Sequence, residues 1–367
     1  MFLKLEDIKK RCHKLLSAVD PNNISYITEL LELYSKDSIL YLTVTSQDYV
    51  VEVKVPISDS EEFHATVNAT LFLKLISQFT TDQVELTING NQLDIKADGK
   101  YSLPLVYEND TIVTLPKIEI ENVTNNFTID SSILTNINTY NTKELNKDGI
   151  MNPVQKMFYI DKHGCITFTT GACITEFELP SDISILLPLN VVKLFKLFNS
   201  SKVDFTIGQD DLNGIIQTKV IFKDDMVTLG AILVSDSGMV SSVPKDAIRK
   251  MATDTYDYSI VINRQGLLNA INRLLLFNKS DSATRPYGKF KFDGTNNMLI
   301  SDKDEHNTEN IRIENMNVDN YEMLIDLMDV KSVIESSKDE FITINFGNHQ
   351  SVVVKRPGVY NVIPECV

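Results

Sequence analysis

The sequence predicts an α+β protein made of repeats, with antiparallel sheets and short helices packed on one sheet face. Two observations predict it. A short amphipathic helix followed by strands rich in Val, Ile, Thr and Phe recurs six times, starting near residues 5, 68, 129, 189, 261 and 324. The links between strands are short and turn-like, which demands antiparallel pairing, because parallel neighbours need a crossover of roughly a dozen residues.

The first unit opens with LEDIKKRCHKLLSAV from Leu5, and its strands include ILYLTVTS and YVVEVKVPI. The second runs from Asn68 to Val106 and is the clearest copy. Leu71, Leu75, Ile76 and Phe79 lie at helical spacing on one face. VELTI then alternates as a strand, Asn89-Gly90 signals a hairpin, LDIKA follows, Asp98-Gly99 turns again and YSLPLV closes the set. The third unit begins with IDSSILTNINTY at Ile129, continuing into KMFYID and CITFTT. The fourth, LNVVKLFKLFNSSKVDFTIG from Leu189, leads into IQTKVIF and MVTLGAILV. The fifth is VINRQGLLNAINRLLLFNKS from Val261, then GKFKFDG and NNMLIS; the sixth is LIDLMDVKSVIESSKDEFITINFG from Leu324, then HQSVVVKR and VYNVIP. Two units make a normal domain of about 120 residues. Three domains follow, 1–118, 119–248 and 249–367, with boundaries near Pro116–Ile120 and Pro244–Ala252.

Composition excludes several classes. Hydrophobic content of 43% and charged content of 23% are ordinary for a globular protein. No apolar run approaches the roughly 18 residues of a membrane span. The start, MFLKLEDIKKRCHKLL, lacks the basic-then-apolar order of a signal peptide, so a cytoplasmic location is expected. Cys12, Cys165, Cys173 and Cys366 form no CxxC pair, and with five scattered histidines there is no metal-ligand spacing. Free thiols and no cofactor or metal are expected. Nothing matches a phosphate loop, a nucleophile elbow or a HExxH helix. His163-Gly164-Cys165 puts a His near a Cys across a glycine turn, which usually makes a loop. Acid clusters at Asp210–Asp211, Asp224–Asp225 and Asp302–Glu305 sit between strands, where solvated turns are common. A metal-dependent nuclease or hydrolase using them would need acids from different repeats to converge at one site, and a repeated-domain structural or interaction protein is a further reading.

The net charge of −15 argues against DNA binding when taken as an average. The distribution reverses that argument. The six predicted helices together carry about +7, with Leu189–Lys202 and Asn263–Lys279 contributing +3 each and no acid. The remainder of the chain is then strongly acidic, which suits a body that holds DNA on its helices and repels it elsewhere. Lys and Arg also favour exposed helix faces for conformational reasons alone, so the repeat is needed to give the count weight.

Six helix-plus-sheet units in one chain of this length resemble the bacterial-type DNA sliding clamp, the beta subunit of the replicative DNA polymerase. VYNVIPECV resembles that family's C-terminal strand, NRQGLLNAINRLLLFNKS the first helix of its third domain, and ISILLPLNVVKLFKLFNSSKVDFTIG the second half of its middle domain. The resemblance implies three clamp domains closing head-to-tail into a homodimeric ring with helices lining the pore. The implied function is that of a processivity factor that encircles duplex DNA without reading sequence and tethers a DNA polymerase. It implies an ATP-dependent clamp loader as a further partner and no membrane. DNA-facing candidates are Lys9, Lys10, Arg11, Lys14, Lys74, Lys193, Lys196, Arg264 and Arg273. The partner-peptide pocket carries over onto Thr170, Ala172, Ile174, Thr175, Pro244, Ile248, Val362, Ile363 and Pro364, and the ring interface onto Tyr107, Leu275 and Leu276. The stretch Thr169-Thr170-Gly171-Ala172-Cys173-Ile174-Thr175 lacks the His and Arg that many members carry there, as a divergent copy from a phage or mobile element would.

Overall fold

In the computed structural model each of the six helices is preceded by a strand, so the repeating unit is strand, helix, three strands. The structure describes residues 1–367 except 20–24, 59–61, 146–151, 213, 234–236, 278–284, 319, 348–349 and 367. Lys279, counted among the helical charges, lies outside the described residues.

The first repeat is β1 (Phe2–Lys4), α1 (Leu5–Leu15), β2 (Leu30–Lys36), β3 (Ile39–Thr45) and β4 (Tyr49–Pro56). The second is β5 (Phe63–Asn68), α2 (Ala69–Gln78), β6 (Gln83–Asn89), β7 (Gln92–Lys96) and β8 (Lys100–Pro104), followed by a small pair, β9 (Tyr107–Glu108) and β10 (Thr111–Ile112). The third is β11 (Val123–Asp130), α3 (Ser131–Asn136), a π-turn at Ile137–Asn141 continued by α4 (Thr142–Leu145), then β12 (Met157–Asp161), β13 (Gly164–Phe168) and β14 (Ala172–Glu176). The fourth is β15 (Ser184–Pro188), α5 (Leu189–Val192), a 3-10 turn at Lys193–Leu197, β16 (Lys202–Leu212), β17 (Ile215–Lys223) and β18 (Val227–Leu233). Helices α6 (Ser237–Ser241) and α7 (Lys245–Thr253) come next. The fifth repeat is β19 (Tyr258–Asn263), α8 (Arg264–Phe277), β20 (Tyr287–Asp293), β21 (Asn297–Asp302) and β22 (Thr308–Met316). The sixth is β23 (Asn320–Asp326), α9 (Leu327–Ser336), β24 (Phe341–Phe346), β25 (Ser351–Arg356) and β26 (Val359–Pro364).

Before three of the helices, α2, α8 and α9, the last residue of the strand supplies the cap. Asn68 accepts from the Leu71 N–H at 2.9 Å, Asn263 from Gly266 at 2.8 Å and Asp326 from Met328 at 2.8 Å. A short polar side chain there satisfies an N–H that the first helical turn leaves without a partner.

The chain divides into two compact units, Met1–Leu134 with Lys193–Ser235, and Thr135–Val192 with Asp236–Val367. In the first, strands pair in the order β11-β16-β17-β18-β4-β3-β2-β5, beside a four-stranded sheet β1-β6-β7-β8. Its helices α1 and α2 bury Leu5, Ile8, Cys12 and Leu15, and Ala69, Phe72, Leu73 and Ile76. This corrects the face expected for α2, because Leu71 is 51% exposed and the core face runs through Phe72 and Leu73 instead. The i, i+3, i+4, i+7 series starting at Ala69 is the one that meets the sheet. Phe205 and Phe222 stack 4.4 Å apart in this unit.

The second unit holds a twelve-stranded sheet, β15-β12-β13-β14-β26-β25-β24-β19-β22-β21-β20-β23. Its larger core joins Ile271, Phe290, Phe292, Val330 and Phe346, with Phe292 stacked on Phe346 at 4.8 Å. Two expected helices are shorter as regular helix than the sequence suggests, ending at Leu15 and at Val192, each followed by a 3-10 turn, and the helix of the third repeat passes through a π turn and runs on to Leu145. Lys202 starts a strand in which it pairs with Asp130 at 2.8 Å.

Candidate DNA-facing helices and partner-binding face

In the first unit α1 and α2 pack side by side with their lysines on the face away from the sheet core. Lys10 and Lys74 are exposed, as are Lys193 and Lys196, and none of the four has an ion pair among the described residues. The other basic residues of α1 are partly engaged. Lys9 Nζ donates to the Phe79 carbonyl at 2.7 Å. Arg11 donates through Nε to the Lys54 carbonyl at 2.8 Å and through a terminal nitrogen to the Asp7 carbonyl at 2.7 Å. Lys14 donates to the Leu197 carbonyl at 3.3 Å. Burial lowers the Lys14 ammonium below its ordinary pKa and the charge of Lys10 adds to that, while Asp224 opposes it. Each ammonium has three donors, so one structural bond leaves the others available.

In the second unit α8 carries two arginines, both with partners. Arg264 donates to the Asp339 carbonyl at 2.9 Å and to Gln265. Arg273 forks onto Glu309 at 2.7 and 2.8 Å, which raises the arginine and holds the Glu309 carboxyl below its ordinary range. Its charge is thus locally compensated. Leu275 packs against the unit's own core, Leu276 is 77% exposed, and Phe277 beside it, which the sequence pattern did not single out, is 63% exposed. Tyr107 is exposed in the first unit.

The residues expected to line a peptide pocket fall into two groups, because strand side chains alternate between faces. Ala172 pairs with Val362, and Ile174 with Tyr360, across β14 and β26. Ala172, Ile174, Ile248 and Val362 meet in one apolar cluster with Tyr159, Leu186 and Val353. Its partly buried margin is Met157, Phe168, Met239, Val240, Met251, Tyr256 and Tyr360. Thr175 and Ile363 point the other way. Thr175 Oγ donates to Asn141 Oδ1 at 2.6 Å, and Ile363 joins the larger core. Thr170 and Pro244 are exposed, Pro244 lying at the N-terminus of α7, and Pro364 is half-buried at the end of β26. Met239, Met251 and Tyr256 were missed because α6, α7 and the residues just after them lie outside the repeat pattern.

Helix α7 is fixed to this cluster by a fork from Arg249 onto Asp161, at 2.9 and 2.6 Å, and Lys245 sits 5.6 Å over the Tyr159 ring. Burial pushes the Asp161 carboxyl up, but the Arg249 fork and the His163 N–H outweigh it and hold the group below its ordinary range. Behind β14, fully buried Asn141 donates to the Cys173 carbonyl at 2.9 Å and to Thr167 Oγ at 3.2 Å.

The acid clusters are absorbed locally. Asp210 pairs with Lys219 at 2.8 Å, Asp224 accepts the Met226 and Val227 N–H groups, Asp302 closes the 302–307 turn, and Glu305 bridges Lys289 and Lys291. Those two ammoniums hold the Glu305 carboxyl down at about 2. His163 faces Glu178 at 3.0 Å, whereas Cys165 is buried, and burial pushes its thiol well above the ordinary value. Cys12 and Cys173 are buried free thiols and Cys366 is a half-buried one. No helix among the described residues is long and apolar enough to cross a membrane.

Helix-backed antiparallel units repeated six times, with sheets continuing from one repeat to the next, define the sliding-clamp class of fold. Residues 2–124 match the family model of the DNA polymerase III beta subunit, N-terminal domain. Solved structures similar over the whole chain show the same fold. The DNA polymerase III subunit beta from Pseudomonas aeruginosa is 16% identical, with 100% of each chain covered and a TM-score of 0.79. The beta subunit from Thermotoga maritima is 15% identical, covering 100% of this chain and 98% of that one, with a TM-score of 0.80. The DNA polymerase sliding clamp from Bacillus subtilis is 13% identical over 100% and 98%, with a TM-score of 0.79. A comparison with curated protein sequences finds no match. This chain therefore has the bacterial sliding-clamp fold throughout, and its first third matches the N-terminal domain of the DNA polymerase III beta subunit.

Proposed function

We propose that this chain is a DNA polymerase processivity factor, a non-catalytic clamp that closes as a homodimer around duplex DNA in the cytoplasm. The observation that carries the reading is a pairing rule repeated in the chain. The last strand of the first repeat, β4, pairs with the last strand of the fourth, β18, through Tyr49–Val53 and Val227–Ala231. The last strand of the third repeat, β14, pairs in the same sense with that of the sixth, β26. Two last strands remain, β22 of the fifth repeat and β8 of the second. Among the described residues, strand β8 ends its sheet, and the Thr308–Arg312 half of β22 pairs on one side only, with β21. Pairing β22 of one protomer with β8 of its partner applies the rule a third time and removes both open edges. Three domains per chain, 1–118, 119–248 and 249–367, then give a ring of six domains in which the basic helices face DNA.

Lys10, Lys74, Lys193 and Lys196 supply sequence-independent attraction to phosphate, and Lys9, Arg11, Lys14, Arg264 and Arg273 act from partly satisfied positions. The apolar cluster under α6 and α7 receives a peptide from polymerase and other partners, with few buried anchors carrying most of the energy. An ATP-dependent loader opens the ring. The test is native mass by light scattering, followed by retention on circular and linearised DNA after loading. A mass near twice 41.5 kDa, with protein held on circles and lost from linear DNA, is expected. A monomer retained equally on both forms would overturn the ring.

A further inference from the structure

We propose that the sheet face of the first repeats opposite α1 and α2 carries a second docking site, a pocket that takes an arginine side chain from a partner protein. It goes beyond the clamp reading, since none of the basic helices and none of the peptide cluster contributes to it. The cavity holds about 600 Å³ and is lined by Glu32, Tyr34, Lys36, Tyr41, Glu52 and His64, with Thr43, Thr114 and Lys117 completing the wall. That volume lies within the usual range of binding pockets, about 300–1,000 Å³.

The register shows how the pocket is built. On this face Glu32 stands opposite Thr43, and Thr43 opposite Glu52, forming one row across β2, β3 and β4. Tyr34 stands opposite both Tyr41 and His64, forming an adjacent row. Rows two residues apart along a strand are separated by about 6.6 Å, so an aromatic wall runs beside a carboxylate wall. The tyrosine rings lie 6.4 Å apart, and His64 meets Tyr34 edge-on at 5.9 Å. The segment 113–117 closes the carboxylate side. It is anchored by Val113 and Leu115 in an apolar cluster with Leu30, by Thr66 Oγ donating to the Val113 carbonyl at 2.6 Å, and by the Leu115 N–H donating to Glu32 at 3.2 Å.

Part of this lining has no side-chain partner among the described residues. Glu32 is engaged, with His64 Nε2 at 2.9 Å on one oxygen and Leu115 N–H on the other. The side chains of Glu52, Lys36 and Lys117 and the two tyrosine hydroxyls make no hydrogen bond or ion pair among the described residues. The charges are layered, with buried Glu32 and half-buried Glu52 inside and exposed Lys36 and Lys117 at the rim. A guanidinium fits that layering, because it is planar, stacks on aromatic faces and forks onto carboxylates. The rim lysines favour acidic residues on either side of the arginine.

The test uses the full chain and the capped peptide Asp-Arg-Asp, followed by amide chemical shifts. Saturable shifts confined to β2, β3, β4 and β5 are expected, with the Asp-Lys-Asp peptide about tenfold weaker because a lysine neither stacks nor forks. Tyr41→Ala and Glu52→Gln should each weaken binding by about fivefold while the thermal melting curve stays in place. No saturable shift up to about 20 mM peptide would overturn the proposal, and so would equal binding of the lysine peptide. Shifts from oligothymidylate with none from the arginine peptide would also overturn it, in favour of a base-stacking site. Because this pocket is independent of ring closure, monomeric protein tests it equally well.

Discussion

Arg249→Met isolates the fork that holds α7 to its sheet. In the native protein Asp161 is 5% exposed and accepts both guanidinium hydrogen bonds. After substitution the carboxylate keeps the His163 N–H at 2.9 Å but loses its only cation at hydrogen-bonding distance among the described residues. Removing one partner of a buried pair costs roughly 3–5 kcal/mol. Arg249 retains 24% side-chain exposure, which admits water to the vacated site and places the cost near the lower end, about 3 kcal/mol. Asp161→Asn should cost less, because it leaves no buried anion. The pH dependence has a definite sign. The native Asp161 pKa lies below its unfolded value of about 3.9, so the fork's contribution is complete above that pH and is lost as pH falls through the folded value. The assay is urea unfolding of wild type, both single variants and the double variant, at pH 7 and at about pH 3. Wild type and Arg249→Met should differ most at pH 7 and converge in acid, and the double variant should be more stable than the sum of the singles predicts. Additive losses, or a cost for Arg249→Met below about 0.5 kcal/mol, would refute the reasoning.

Asn141→Ala leaves the Cys173 carbonyl and the Thr175 hydroxyl without their buried partner, and should cost about 3 kcal/mol in a denaturation midpoint measurement. Lys193→Ala with Lys196→Ala should weaken DNA binding uniformly across sequences and reduce the log–log salt slope by about 2, read by fluorescence titration. Leu276→Asp places a charge on a 77% exposed leucine, and if that leucine lies in the proposed ring interface the variant should be monomeric in light scattering without lowering the melting temperature of the monomer. Asn310→Pro removes an N–H from the open half of β22 and should do the same, since a ladder position cannot lose its donor cheaply.

The hairpins and helix phases were legible where a local rule dominates. The hairpin signalled by Asn89-Gly90 forms, but Asn89 ends its strand opposite Gln92 and the turn is Gly90-Asn91, with Gly90 at φ +58° in the first turn position; the six repeats are all present. The β2–β3 hairpin went unread because its turn is Asp37-Ser38, both in the left-handed region at φ 52° and 58°, a dipeptide without the glycine signal. Three of the strands before helices, β5, β19 and β23, were hidden by their last residue. Asn68, Asn263 and Asp326 are at once strand ends and helix caps, so helical periodicity draws the boundary too early. The face of α2 was misread by one position because Leu71, Phe72 and Leu73 are all apolar, and only packing against the sheet decides which of them is buried.

The charge pattern was legible in sum but not residue by residue. Counting Lys and Arg on helices treats every cation as available, yet Arg273 is bound by Glu309, 36 positions away, and Arg11 by carbonyls of α1 and β4. The bonds to Glu309 and to Lys54 span many residues and leave no trace at local spacing, unlike the contact of Arg11 with Asp7 four residues earlier. What survives is a distinction between cations fixed by the fold and cations left free. Lys10, Lys74, Lys193 and Lys196 belong to the second kind, and all four lie in the unit that contains Met1–Leu134 and Lys193–Ser235. In the unit built on Thr135–Val192 and Asp236–Val367, the singled-out arginines are held in place instead. If Glu309 holds Arg273 in the free protein, DNA must compete for it, and Glu309→Gln should strengthen DNA binding and steepen its salt dependence by nearly one unit. Unchanged affinity in that variant would mean that Arg273 faces the sheet edge rather than the duplex, leaving attraction to DNA with the four free lysines.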